Sequence, residues 1–98
     1  MAVKTIRVAI LILEIHIPGK TSLKAKRQVI KSLVQRLRNK YNVSVSEIGS
    51  QDLWQKSELG IAAVCYNGSG ADSITGTIIN FIEEENGIDI ITARTEIY

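Results

Sequence analysis

The hydrophobic residues of this chain fall into stretches of two kinds, which predict strands and helices. Four stretches are apolar and rich in β-branched residues, as strands are; they cover residues 3–17, 43–49, 58–66 and 88–97. In two other stretches the apolar residues recur at spacings of three and four, the period of a helix; they cover about residues 23–40 and 70–85. The predicted order of elements is therefore βαββαβ.

Capping and turn residues predict where these elements begin and end. Pro18-Gly19 ends the first strand, and Ser22 stands where the N-cap of the first helix is expected. Asn42 is a candidate left-handed residue at the end of that helix. Ser69 and Asp72 have the spacing of a capping box for the second helix, and Asn86-Gly87 stops it.

Two split βαβ units of this length predict an α+β ferredoxin-like fold, with a four-stranded antiparallel sheet and both helices on one face. No linker or repeat is visible, and 98 residues suffice for one core, so residues 1–98 are predicted to form a single domain.

The first strand is apolar on both sides, which has a consequence for the sheet. Val8, Ile10 and Ile12 lie on one side, whereas alternate positions from Ala9 to Leu13 lie on the other. In this fold only one sheet face is covered by helices. A homodimer that packs its open sheet faces together is the simplest cover for the second face. The alternative is a modestly apolar sheet face that stays exposed.

Composition excludes several classes of protein. A single Cys provides neither a disulfide framework nor a Cys-based metal cluster. The longest apolar run covers residues 8–13, far short of the ~20 residues that a membrane helix needs. The N-terminus lacks the pattern of a signal peptide. We expect a cytoplasmic protein with no membrane association.

Charge is distributed very unevenly. Residues 20–40 hold eight of the twelve basic residues and none of the ten acidic ones, which the net charge of +2 conceals. On a helical wheel four of these cations fall within about 60° of one another, beside the apolar stripe. They are Lys24, Arg27, Lys31 and Arg38, and Lys20 extends their line. We call these five residues the basic stripe.

The basic stripe has two interpretations. One helical turn rises ~5.4 Å, close to the ~7 Å between successive phosphates, so the stripe can follow a nucleic-acid backbone. Alternatively, it is a solvated helix face whose long stems cover apolar surface. Lys26 falls inside the apolar arc instead, and we expect it to escape at the helix start or to contact a partner.

The amino-acid sequence contains no recognisable set of catalytic residues. Residues 18–22 resemble the end of a phosphate-binding loop, but Glu14 stands where the motif requires Gly, which leaves a turn with a cap as the simpler interpretation. His16 has no second ligand for a metal, and Cys65 lies in an apolar strand as an inert core thiol. We expect that the protein is not an enzyme and that it binds neither a cofactor nor a metal.

Trp54, the only Trp, lies among polar residues in the predicted loop 51–56. An aromatic ring beside a basic helix can stack on an unpaired base. It can equally lie against its own sheet or a dimer partner, which is the commoner role for a single Trp.

Several segments resemble the YlxP-like family of small bacterial proteins. The most specific are Ser22-Leu23-Lys24-Ala25-Lys26-Arg27 and Gln51-Asp52-Leu53-Trp54-Gln55; others are residues 32–33, 36–39, 42–45 and 59–60. The family usually has Glu where Ala25 stands. The resemblance implies a ferredoxin-like fold. Genes of the family often lie near those of ribosome maturation and translation initiation factors, which implies ribosomal RNA or a ribosome-associated partner.

Two functions follow as the leading hypotheses; a third, an enzyme or small-ligand sensor, is the weakest because no paired carboxylates or nucleophile–base spacing stand out. The first is a non-catalytic RNA-binding or ribosome-associated protein whose basic helix contacts the phosphate backbone of structured RNA through Lys20, Lys24, Arg27, Lys31 and Arg38, with Trp54 nearby. The second is a homodimeric interaction module that docks the same helix on an acidic protein surface.

Overall fold

The computed structural model describes residues 6–98, and its six elements follow the predicted order. They are β1 (Arg7–His16), α1 (Leu23–Lys40), β2 (Ser44–Gly49), β3 (Lys56–Cys65), α2 (Gly68–Glu83) and β4 (Asp89–Ile97). The predicted bounds differ by a few residues at most, and predicted strand residues 3–5 lie outside the described part of the chain.

The four strands form one antiparallel sheet in the order β2-β3-β1-β4, so the ferredoxin-like fold is confirmed. The apolar strand β1 is central, as its composition requires. Leu13 lies opposite Leu59 of β3 and Ala93 of β4. β2 and β4 are the two edges of the sheet.

The core lies between one face of the sheet and the two helices. Leu11, Leu13 and Ile15 of β1 are buried there, because alternate residues of a strand point to the same side. Leu33 and Leu37 of α1 pack against them, together with Ile78 and Ile82 of α2. The apolar residues spaced three and four apart on the helices thus pack against alternate residues of the strand.

The other face of the sheet carries the remaining apolar residues of β1. Val8, Ile10 and Ile12 are half-buried, while Val64 of β3, opposite Val8, is 69% exposed. No helix covers this face within residues 6–98. The two-faced character of β1 is therefore confirmed, and the homodimer through the open sheet face stays a prediction.

Charged residues border one end of the open face. Lys56 Nζ lies 2.7 Å from Glu14 Oε1, next to Glu58. The pKa of Lys56 is raised above its ordinary value of 10.5, because its ammonium donates a hydrogen bond to the Glu14 carboxylate. An apolar patch with a charged border of this kind is typical of an interaction surface.

The helix boundaries confirm some capping predictions and correct others. Ser22 is the N-cap of α1, and its Oγ accepts a hydrogen bond from the N–H of Ala25 at 3.1 Å. The N-cap of α2 is Asn67 rather than Ser69; its Oδ1 accepts from the N–H of Gly70 at 2.8 Å. Asn is as good an N-cap as Ser, and the earlier residue adds half a turn of helix.

The predicted end of α1 was wrong, and two glycines differ in the space around them. Asn42 is not left-handed, because α1 ends at Tyr41 in an extended conformation (φ −127°, ψ 149°). Within α2, Gly76 faces open space: a Cβ added there would meet nothing within 4 Å. Gly87, by contrast, adopts the left-handed conformation of a turn glycine (φ +82°).

Candidate nucleic-acid interface

The contacts on either side of α1 show where the basic stripe lies in the fold. On one side, Arg38 Nη2 donates a hydrogen bond to the carbonyl of Val45 in β2, at 2.7 Å. On the other, Arg36 pairs with Glu85, and Lys40 Nζ lies 4.9 Å from the ring centre of Phe81 in α2. The flank of α1 that carries Arg38 therefore faces the edge of the sheet and not the second helix.

Four of the five stripe residues are exposed on α1: Lys24, Arg27, Lys31 and Arg38. Within residues 6–98 none of the five lies within ion-pair distance of a carboxylate. Arg38 uses one N–H on Val45 and keeps others for a ligand. The result is a row of cations uncompensated by local acids.

Lys20 has a different environment from the other four. It lies in the turn before α1 and is half-buried. Its carbonyl accepts a hydrogen bond from Gln55 Nε2 at 3.1 Å, which joins this turn to the loop that carries Trp54. The stripe therefore begins next to that loop and runs along α1 toward Arg38.

Trp54 lies in the loop 50–55 and is 53% exposed. Its neighbour Leu53 is 50% exposed. A ring that is half accessible does not pack fully against its own sheet. The exposure leaves one aromatic surface available to a base or to a partner protein.

Two backbone and side-chain contacts fix the ends of the loop 50–55. The N–H of Ile17 donates to the carbonyl of Gln55 at 2.7 Å, and Gln51 Nε2 donates to the carbonyl of Glu47 at 3.4 Å. Ser50 turns the chain with a left-handed φ of 58°. The loop is thus anchored at both ends while its apolar tip stays exposed.

Lys26 is the residue that sequence reasoning placed wrongly. Its side chain is fully buried, and its Nζ lies 2.7 Å from Glu47 Oε2 and 3.0 Å from the carbonyl of Ser50. Ser57 Oγ donates to the same carboxylate oxygen at 2.5 Å. The ammonium is therefore neither exposed to solvent nor left for a partner protein, because it pairs with a carboxylate of its own chain.

This buried pair has a structural role at the candidate interface. Lys26 also donates to the carbonyl of Gln51 at 3.4 Å, so one ammonium holds the first turn of α1 against the start of the loop 50–55. The sequence signal was present, since a cation inside an apolar arc needs a buried acid. Its partner, 21 residues away on β2, could be identified only from the fold.

An open depression on the surface of α1 has polar and basic walls. It is lined by Gln28, Lys31, Ser32, Gln35, Arg36 and Asn39. All but Arg36 are exposed, and none is acidic. Such a surface offers hydrogen-bond donors to anionic oxygens but no apolar cavity for a drug-like ligand.

The single His and the single Cys of the chain are far apart. His16 ends β1 opposite Lys56, whereas Cys65 pairs with Arg7 at the other end of β1. Nine residue steps along the strands separate the two by roughly 30 Å, so they form no nucleophile–base pair. Cys65 is buried and donates to the carbonyl of Ala63 at 3.6 Å.

The described residues offer neither a metal site nor a membrane-spanning helix. Across residues 6–98 no group of three His, Cys, Asp or Glu side chains is arranged to hold a metal ion. In the same part of the chain, no helix has both the length and the apolar content that crossing a bilayer requires.

The segment that resembles a phosphate-binding loop is a turn followed by a cap. Gly19 adopts a left-handed φ of 80° after Pro18, and Ser22 then caps α1 with its own side chain. This geometry agrees with the simpler of the two interpretations.

Comparison with known proteins agrees with the resemblance found in the sequence. The model of a family described as "Protein of unknown function (DUF503)" matches residues 8–95. The chain is also similar to the uncharacterized protein YlxP of Bacillus subtilis (strain 168), with 43% identity over 75 residues. That alignment covers 76% of this chain and 82% of the relative. The chain belongs to the DUF503 family, which includes the YlxP-like proteins.

Proposed function

We propose that this protein is a non-catalytic RNA-binding or ribosome-associated protein that uses α1 to contact the phosphate backbone. The observation that carries the proposal is the basic stripe, of which four of five residues are exposed and none has a carboxylate within ion-pair distance among residues 6–98. Exposed helix faces usually mix both signs of charge. A one-sided row raises the local potential and attracts polyanions.

Spacing along the helix supports contact with several phosphates. Arg27 and Lys31 are one turn apart, about 6 Å along the axis, and Arg38 lies roughly 10 Å farther on. Each long side chain adds reach, so the three can contact neighbouring phosphates of one strand. Recognition of this kind reads backbone and shape more than sequence.

The open sheet face does not resemble that of an RNA-binding sheet. Sheets that read RNA stack bases on aromatic residues of their central strands. Neither β1 nor β3 contains Phe, Tyr or Trp, and Tyr66 stands just after β3. We therefore assign the RNA contact to α1 and the loop 50–55, with Trp54 as the candidate stacking residue.

The alternative is a homodimeric interaction module that docks α1 on an acidic protein surface. The open apolar face, with Val64 69% exposed, favours this function because such a patch is typical of protein contacts. A pull-down from cell extract with and without nuclease separates the two functions. Loss of captured partners after nuclease supports RNA, and acidic proteins that remain bound support the module.

The direct test of RNA binding is a salt titration. A labelled RNA hairpin with a single-stranded loop is titrated with protein, and fluorescence anisotropy gives the Kd at several salt concentrations. Because binding weakens as salt rises, each phosphate contact contributes about 0.7 to 0.9 to the positive slope of log Kd against the logarithm of the salt concentration. We expect a slope of about 2 to 4. No binding at low salt would contradict the proposal.

A further inference from the structure

The two edges of the sheet are protected against pairing to different degrees. β2 has six residues, has an irregularity between Glu47 and Gly49, and has its Val45 carbonyl occupied by Arg38. Short strands, bulges and covered backbone groups keep an edge strand from pairing with another chain. β4 has nine residues and neither Pro nor Lys, and its register is regular from Thr92 onward. β4 is thus the edge that remains open to another strand.

The backbone geometry of β4 shows which of its groups are free. Tyr98 exchanges two hydrogen bonds of 2.9 Å with Val8, so its N–H and C=O both point toward β1. Backbone groups of successive residues alternate in direction along an antiparallel strand. The N–H and C=O groups of Ala93, Thr95 and Ile97 therefore point away from β1. No strand within residues 6–98 pairs with that side.

We infer that this edge pairs with the same edge of a second copy, antiparallel about a two-fold axis at Thr95. A two-fold contact places the same strand against itself, so its centre fixes every pair. A centre at Arg94 would place Arg94 against its own copy, and a centre at Glu96 would place two Glu together. Like charges directly opposite each other are destabilising. A centre at Thr95 places Arg94 opposite Glu96 twice.

This register also satisfies the backbone. Thr95 would exchange two hydrogen bonds with Thr95 of the second copy, and Ala93 would do so with Ile97 on each side. Arg94 and Glu96 then form non-hydrogen-bonded pairs, in which Cα atoms lie about 4.5 Å apart and side chains are close. Hydrogen bonding is thus compatible with this register, and the charges favour it over centres at Arg94 and Glu96.

The side chains of β4 fit such a contact on both faces. Arg94 and Glu96 are 68% and 45% exposed, and Arg94 Nε lies 3.8 Å from Glu96 Oε1 in the same chain. Pairing would complete a ring of four alternating charges on the open face. On the helix side Ile97, which is 37% exposed, would lie beside Ala93 of the second copy, and both are exposed in the single chain.

The β4 edge is a different surface from the two already discussed. Edge pairing would extend the sheet to eight strands and leave its open face uncovered. It would also leave the basic stripe free, since α1 contacts β2 at the opposite edge. The inference therefore stands or fails independently of RNA binding.

Sedimentation equilibrium of charge variants tests this contact. Wild-type protein should sediment at twice the chain mass at micromolar concentration. R94E leaves only acids, and E96R only bases, at these two positions, so each variant alone should dimerise at least tenfold more weakly. An equimolar mixture of the two should form a heterodimer, and the double variant R94E/E96R should dimerise like the wild type.

Backbone and open-face variants complete the design. T95P removes the N–H at the axis without breaking the ladder to β1 and should give monomers, whereas T95V keeps that N–H and should dimerise. V64E, on the open face, should also leave the dimer intact. A monomeric wild type, or a dimer that survives R94E and E96R, would overturn the inference. The inference would also be wrong if V64E dissociated the dimer and the equimolar mixture of R94E and E96R formed no heterodimer.

Discussion

Lys26 and Glu47 form a buried ion pair that joins the first turn of α1 to β2. Nζ and Oε2 are 2.7 Å apart, with the lysine side chain fully buried and the glutamate side chain 19% exposed. The remaining donors of the ammonium are used on carbonyls of Ser50 and Gln51. A buried charge is tolerable only when its hydrogen bonds are satisfied in this way.

We expect Lys26→Met to lower the free energy of unfolding by about 3 kcal/mol, because it leaves a largely buried carboxylate without its cation. Urea denaturation measures the change. Lys24→Met, on the exposed side of the same helix, is the matched control and should change stability by less than about 0.5 kcal/mol. Equal effects of the two variants would show that the pair contributes nothing. The double variant Lys26→Met/Glu47→Leu should recover part of the loss.

Gly76 lies inside α2 with open space where a Cβ would be. We expect Gly76→Ala to raise the free energy of unfolding by about 0.5 to 1 kcal/mol, because alanine loses less backbone entropy in a helix. Thermal denaturation followed by circular dichroism measures this. Gly87→Ala is the opposite control: its φ of +82° disfavours any Cβ, so that variant should be less stable than the wild type. A destabilised Gly76→Ala would contradict the geometry of α2.

Trp54 provides a test of base stacking that is separate from the helix. If the ring stacks on an unpaired base, Trp54→Ala should weaken binding of single-stranded RNA by ~1–3 kcal/mol and leave duplex binding unchanged. Leu53→Ala is the matched control, since Leu53 is exposed to a similar degree in the same loop and has no ring. Equal losses in the two variants would indicate a general effect on the loop rather than stacking.

The sequence was sufficient for the architecture because periodicity alone distinguishes the two helices from the four strands. Ser22 was predictable as a cap for the same local reason, whereas Asn67 was missed because Ser69 offered a competing capping pattern. The environment of Lys26 was not predictable, since its partners lie on β2 and the following loop. Periodicity and capping residues are local, so they determine the helices and strands. The hydrogen-bond partners of a buried polar side chain come from distant residues, so they depend on the tertiary fold.

The same distinction applies to the basic stripe. The helical wheel places Lys24, Arg27, Lys31 and Arg38 on one flank, and all four are exposed. That this flank faces the β2 edge, and that Arg38 donates to Val45, depends on how α1 packs on the sheet. Sequence periodicity therefore identified the surface but not its neighbours.

The most direct test of the central proposal is the RNA affinity of the charge reversal Arg27→Glu/Lys31→Glu. Both residues are exposed, so thermal stability should change little. The control Arg7→Glu/Lys40→Glu makes the same change in net charge at two exposed residues outside the stripe. We predict that the stripe variant loses hairpin RNA binding at 50 mM salt, defined by about a hundredfold rise in Kd, while the control stays within about fivefold of the wild type. If the stripe variant binds like the control, the basic stripe is a solvated helix face and the RNA proposal is wrong.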